Sequence, residues 1–272
     1  MTRAKDLQPD QDPAAWNDHV LVYEAVFEPF TTAVADVAIS ALGDVKHRKV
    51  VDVGAGAGGC ALALARAGAD VLAIDAAPGM VAHIRQRAEA SGLRLAAECA
   101  DGCSLPLPDA AYDVGISIFG IILFPEAEKG LRELARVVRP GGRIAIATWT
   151  EPHNYELATG LRASAEAILG HVPPGALPAQ LRFVDPDRFR DLFKTVGLQT
   201  VELTTVRAAL RAPSAQWLVE RLAFAPGMAS LLAGFGSRRD AVLEHFGSAL
   251  RARFNDGEVA LGAVASVAIA TC

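Results

Sequence analysis

The run VVDVGAGAGG, Val50 to Gly59, constrains this chain more than any other stretch. The β-branched run Lys49–Val53 leads into alternate glycines, and residues Cys60 to Ala67 that follow are rich in Ala and Leu. That order predicts strand, tight turn, helix. Glycine at positions 54, 56, 58 and 59 leaves the main chain bare where the strand ends, so a ligand can approach the backbone where any side chain would block it. The same alternation repeats downstream: strand Asp70–Ile74, helix Pro78–Ser91, strand Leu93–Glu98, strand Tyr112–Ile118, helix Ala127–Val138 and strand Arg143–Thr148. Alternation of this kind calls for a parallel, doubly wound α/β sheet with helices on both faces. Gly68, Gly92 and the run Arg139 to Gly142 stand where helices should end.

The flanks fill out the plan. Apolar residues at helical spacing, from Trp16 through Val22, Val26, Phe30, Val34, Val37 and Ile39 to Leu42, predict one continuous helical stretch, a lid over residues 14–45 before a core at 46–150. Residues 151–195 read as a cap insertion with helix Tyr155–Leu169, a Pro- and Gly-rich loop at His171–Pro178, and helix Asp187–Val196 ended by Gly197. Leu198–Val206 alternates as a strand. A second insertion, 207–257, carries helices Ser214–Ala225 and Arg238–Arg253 around flexible stretches at Pro226-Gly227 and Gly234–Ser237, and Glu258–Thr271 closes the chain as a strand. The expectation is one domain over residues 1–272, with a seven-stranded sheet whose C-terminal strand is antiparallel. An α/β core can absorb that length with insertions.

Charge and cysteine usage exclude several classes. The net charge of −5 and pI near 5.7 give no global positive field for phosphate backbones, so nucleic acid is a poor partner. Met1 to Asp12 lacks the apolar region of a secretory signal, and the apolar runs Val114–Pro125 and Leu261–Cys272 are too short to cross a bilayer. A cytoplasmic protein that does not insert in membranes is expected. Cys60, Cys99, Cys103 and Cys272 show no paired spacing, so the reading is reduced thiols and no metal. The apolar stretch Val259–Ala270 fits sheet core or a homodimer interface equally.

Spacing alone leaves the ligand open. Gly54, Gly56 and Gly59 satisfy GxGxxG, and Asp75 at the end of the second strand offers two acceptor oxygens to ribose hydroxyls, so a nicotinamide- or flavin-binding oxidoreductase competes. Other features separate the readings: Asp52 two positions before the first glycine, Asp101 after the third strand, and the turn Pro140 to Gly142 into the fifth. With these the chain resembles the class I S-adenosylmethionine (SAM)-dependent methyltransferases, in particular the group similar to ubiquinone/menaquinone C-methyltransferases. The matching stretches are Asp52 to Gly58, Ile74 to Met80, Ala100 to Asp109 before Tyr112 to Val114, and Leu134 to Ile146.

The resemblance implies SAM as cofactor and S-adenosylhomocysteine (SAH) as product. By it, the backbone at Gly54, Ala55, Gly56 and Gly58 lies against the methionine moiety, with Asp52 organising the amino group. Asp75, beside Ala76, would hold the ribose. Ala100, Asp101 and Gly102 would meet the adenine, and Met80 would pack on its face. Ser117, Ile118 and Phe119 would border the methyl donor, and Trp16 and Tyr23 of the lid would close over it.

Methyl transfer from a sulfonium is an in-line displacement with a neutral leaving group, so alignment and exclusion of water do most of the work and no catalytic residue is obligatory. Should a base be needed, His19 and His153 are the candidates. Ser117 is followed by Ile118, Phe119 and Gly120, not by the Asn/Asp-Pro-Pro-aromatic loop with which amino-group methyltransferases hold a planar nitrogen. A small-molecule acceptor is therefore expected. Trp217, Leu218, Leu222, Phe224, Met228, Leu231, Leu232 and Phe235 suggest that it is apolar or aromatic, unless they form a cap that packs on the domain. A protein that binds SAM without catalysis fits the same motifs.

Overall fold

The computed structural model describes residues 7–171 and 178–272. Seven strands form one sheet: β1 (Lys49–Val53), β2 (Asp70–Asp75), β3 (Leu95–Cys99), β4 (Tyr112–Ile118), β5 (Val138–Trp149), β6 (Val201–Ala212) and β7 (Val259–Thr271), in the order β3-β2-β1-β4-β5-β7-β6. β1 to β5 pair in parallel; β7 runs antiparallel to both β5 and β6, so β6 points the same way as β5. This is the doubly wound sheet expected, with the C-terminal strand reversed.

The winding places the site. The chain moves from β1 outward to β2 and β3 through α3 (Gly59–Arg66) and α4 (Pro78–Ala90), then returns to β4 beside β1 and moves the other way through α5 (Ala127–Val137) to β5. Right-handed crossovers in opposite directions put α3 and α4 on one face and α5 on the other. Between β1 and β4 the direction reverses, and the loops leaving their C-terminal ends part to open a crevice. The inner strands are apolar on both sides, as strands covered twice must be: Val50, Val51, Val53, Val114, Ile116, Ile144 and Ile146 are all buried.

Three boundaries differ from the sequence reading. The lid is not one helix: α1 (Val20–Val26) and α2 (Glu28–Leu42) meet at a 65° bend. Pro29, in the first turn of α2, has no N–H for the preceding turn, so the helix restarts there. β5 begins at Val138 rather than Arg143, because Gly141 N–H donates to Cys272 O and Cys272 N–H to Gly142 O, extending the ladder through the Pro-Gly-Gly stretch. The strand expected over Leu198–Val206 runs instead from Val201 to Ala212, paired with β7 throughout, so the second insertion begins after Ala212.

The insertions carry α6 (Glu156–Leu169), α7 (Pro186–Lys194), α8 (Ala215–Glu220), α9 (Pro226–Gly234) and α10 (Arg239–Phe254). Pro226 does not mark a flexible turn: it starts α9, the position where its missing N–H costs nothing. Most of the loop expected at His171–Pro178 lies outside the described residues. Both insertions follow strands that end at the C-terminal edge of the parallel sheet, beside the crevice. Among the described residues no single helix is long and apolar enough to cross a membrane.

Candidate functional site

The glycine turn leaves β1 at the crevice. Gly54 takes φ +72°, and a Cβ there would stand 2.9 Å from Gly120 Cα on the turn after β4. The two loops touch through bare backbone, which is why neither position carries a side chain. Behind the turn lies a small cavity of about 20 Å³ lined by Tyr23, Glu28, Thr31, Asp52, Gly54, Ala55, Gly59, Cys60 and Ile118. Of the residues named from sequence, it gathers Tyr23, Asp52, Gly54, Ala55 and Ile118. Gly59 of the glycine run lines it too, and Glu28, Thr31 and Cys60 join them unforeseen.

Asp52 is the chemical centre of this cavity. It is 1% exposed, and its Oδ2 has no hydrogen-bond partner among the described residues. Burial pushes its pKa up to about 7; hydrogen bonds from Cys60 and Ala61 draw it down, and Asp75 adds a like charge. A buried carboxylate oxygen without a partner is costly, and its natural complement is a donor or cation brought by a ligand.

Asp75 ends β2 with its carboxylate turned back on the glycine turn. Oδ2 accepts the Gly56 N–H at 2.8 Å and Oδ1 the Ala77 N–H at 2.9 Å. Burial raises its pKa to about 6, against backbone hydrogen bonds from Ala77, Gly56 and Ala76 that lower it. With three N–H donors on it, the carboxylate keeps one lone pair for a further donor. Met80 is buried in a small cluster with Val20, Ala57 and Ala77, and Trp16 and Tyr23 of the lid pack against it. The Tyr23 ring lies over Gly56, where a Cβ would come within 3.5 Å of it, and meets Trp16 edge-on at 5.6 Å. The lid residues named from sequence thus do reach the glycine turn.

Other positions have structural work of their own. Asp101 is exposed, and its Oδ1 accepts the Cys103 N–H at 2.8 Å, closing the turn after β3. Gly102, next to Ala100 and Asp101, is pressed by the Phe124 ring, whose Cζ would stand 2.7 Å from a Cβ. Ser117 Oγ donates to Val53 O at 2.6 Å and accepts from Ile121 N, tying β4 to β1. Gly58, in a left-handed conformation, caps α3 against Ile84. Phe119, at φ +59°, turns its ring into an aromatic cluster: Trp149 lies 4.8 Å from Phe119, 5.3 Å from Phe30 and 4.7 Å from Tyr155, and Phe224 stacks on Phe27 at 5.0 Å.

The two histidines do not line the cavity. His19 sits between the lid and the second insertion, with Nδ1 2.9 Å from Ala223 O, so Nδ1 is the donor in that contact. His153 is exposed in a short turn beyond β5. Most of the apolar stretch in the second insertion is core: Leu218, Leu222, Phe224, Leu232 and Phe235 are buried, and Phe224 alone of these reaches the aromatic cluster through a ring contact.

The strand order, the reversal between β1 and β4, and a glycine turn over a buried acid define a Rossmann-like α/β protein with a cavity at the switch point. Residues 50–142 match the family model of the methyltransferase domain. An uncharacterized protein of Mycobacterium tuberculosis is 32% identical over 164 residues, 60% of this chain and 58% of that one. A demethylmenaquinone methyltransferase of Thermus thermophilus is 40% identical over 107 residues, 39% of this chain and 49% of that one. The chain thus spans less than two thirds of the length of these curated relatives. Among solved structures, a Haemonchus contortus phosphoethanolamine N-methyltransferase in complex with S-adenosylhomocysteine superposes with a TM-score of 0.57 at 15% identity, over 96% of this chain and 60% of that one; at such identity the likeness is one of fold. Residues 50–142 thus match a methyltransferase domain, and the fold is that of the SAM-dependent methyltransferases, a family whose cofactor is SAM.

Proposed function

We propose that the chain transfers the methyl group of SAM to a small, apolar or aromatic acceptor, and that it does so as a single domain in the cytoplasm, without nucleic acid or membrane as partner. The observation that carries the reading is the unpartnered Oδ2 of Asp52, buried under the glycine turn in a cavity that the lid closes. The amino group of a methionine moiety is the donor that such an oxygen lacks. In this reading Asp52, Gly54, Ala55, Gly56 and Gly58 hold the methionine end and Asp75, with Ala76, the ribose. Met80, Ala100, Asp101 and Gly102 flank the adenine, with Trp16 and Tyr23 over it, and Ser117, Ile118 and Phe119 border the methyl.

When bound, SAM supplies a methyl group on a cationic sulfur. The protein's part is to bind, align and keep water out. Asp52 and Asp75 hold two ends of the cofactor against the rigid turn. Phe119, Trp149, Phe30 and Phe27 pack into a buried aromatic cluster at the ends of β4 and β5, and a flat apolar acceptor is the kind that would bind beside it. Neither candidate base lines the cavity; His19 lies on the lid and His153 in an exposed turn.

Calorimetric titration with SAM, SAH and NADH, repeated with Asp75→Ala, tests the cofactor. The expected result is binding of the two SAM-type ligands alone, weakened at least tenfold by the substitution. Binding of NADH instead, or of none, overturns the reading. An acceptor screen with labelled methyl then tests transfer: tight SAM binding with no turnover across small aromatic and apolar acceptors would leave a binding protein.

A further inference from the structure

The helix that follows a glycine turn presents free N–H groups and the positive end of its dipole, and in dinucleotide-binding folds that end receives a pyrophosphate. Here the end of α3 is already taken. Glu28, from the first turn of α2, reaches across to accept the Gly59 N–H at 2.8 Å, while 6% exposed. A Cβ at Gly59 would lie 2.4 Å from Thr32 Oγ1 and 2.8 Å from Glu28 Cγ, so only glycine fits there. Arg87 of α4 holds the carboxylate from the other side: its Nη1 donates to Glu28 Oε1 at 2.8 Å and to Ala57 O at 2.6 Å, and its Nε pairs with Glu24 at 3.1 Å. His83 Nε2 completes the chain of charges 2.7 Å from Glu24.

Glu28 therefore binds the glycine turn at its far end and puts a second carboxylate, with Asp52, on the wall of the cavity. A phosphate group would meet that fixed charge at the point where it needs N–H donors, and repulsion at such range in a partly desolvated site is strong. A ligand with a cationic head meets attraction instead. We propose that Glu28 is the specificity-determining residue of the cofactor site, admitting a cofactor with a cationic amino-acid head and excluding nucleoside diphosphates, with Arg87 as its positioning residue. This rests on the SAM reading given above.

The test compares SAH and ADP, each titrated by calorimetry into the full chain. Glu28→Gln keeps the shape and the acceptor for Gly59 N–H but removes the charge, and Arg87 retains Glu24 as its counter-ion, so the fold has its supports. The expected outcome is that the ratio of the ADP to the SAH dissociation constant falls at least tenfold, because SAH weakens and ADP gains. Glu28→Asp, which keeps the charge, should restore most of the ratio. Arg87→Met removes the group that holds the carboxylate in place, so SAH weakens through lost positioning while the retained charge keeps ADP excluded. A merely structural Glu28 would weaken both ligands together, and an unchanged ratio in Glu28→Gln, with wild-type SAH binding intact, overturns the proposal alone. Failure of the wild-type chain to bind SAH overturns the SAM reading and this proposal with it.

Discussion

At the scale of single residues, the proposed SAM site makes Asp52 the group through which cofactor binding would depend on pH. With its pKa pushed to about 7, chiefly by burial, the free protein holds much of this carboxyl protonated near neutrality. A bound ammonium favours the ionised form, so binding must expel the proton, and the cost grows as pH falls below the free pKa. Between pH 8 and pH 6 the SAH dissociation constant should rise about tenfold, the penalty of one proton over one unit below the pKa. Calorimetry at the two values checks the slope, and Asp52→Asn should flatten it while weakening binding at pH 8. A slope that survives the substitution would assign the proton to another group. Asp52 itself was legible from its place before the first glycine. Glu28 was not: it lies 31 residues from Gly59, and nothing local in the sequence marks a side chain that is recruited by tertiary contact.

At the scale of elements, the alternation of strands and helices could be read because buried strands and amphipathic helices carry different periods. What escaped were the places where tertiary pairing overrides local signals. Pro140 to Gly142 reads as a turn, yet Cys272, just past β7, pairs with it; Pro226 reads as a break, yet it begins a helix. The segment before α1 shows a third case. Gln11 Nε2 donates to Leu123 O at 3.0 Å, Ala179 N–H to Gln8 Oε1 at 2.7 Å, Gly227 N–H to Asp10 Oδ1 at 2.6 Å and Gly79 N–H to Asn17 Oδ1 at 2.8 Å, while Trp16 Nε1 donates to Asp10 O at 3.0 Å. Residues 8–17 thus stitch the lid to both insertions and to α4. Asp10→Ala removes the acceptor at the start of α9, a loss of about 1 kcal/mol by the usual worth of such caps. The expected effect is an SAH dissociation rate raised several-fold, by stopped flow, with little change in the far-UV spectrum. An unchanged rate would mean that the strap plays no part in holding the ligand.

At the scale of the whole molecule, the two buried carboxyls set the direction in which stability runs with pH. The folded pKa values of Asp52 and Asp75, about 7 and about 6, lie above the ordinary 3.8, so the folded state binds these protons more tightly than the unfolded state does. The stability they contribute is whole below about pH 4 and is lost as pH rises through 6 and 7. Burial raises Asp10 as well, in the same sense. Asp113, held low first by Arg139, and Glu133, held low first by Arg136, act oppositely, but their stabilisation fades only as pH falls below the ordinary carboxylate range. From pH 5 to pH 8 the free protein should therefore lose Tm, by about 2–4 °C for each kcal/mol. Saturating SAH reverses the sign at Asp52, since an ammonium partner turns an ionised, unpartnered carboxylate into a paired one. The Tm gain from SAH should be larger at pH 8 than at pH 6, because only at the higher pH does the free state carry the full unpaired charge that the ligand relieves. Differential scanning fluorimetry at four pH values, with and without SAH, reads both effects in one experiment. A free-protein Tm that rises from pH 5 to pH 8 would show that Asp52 and Asp75 are ionised at ordinary cost, and a pH-independent SAH shift would place the ligand's ammonium away from Asp52.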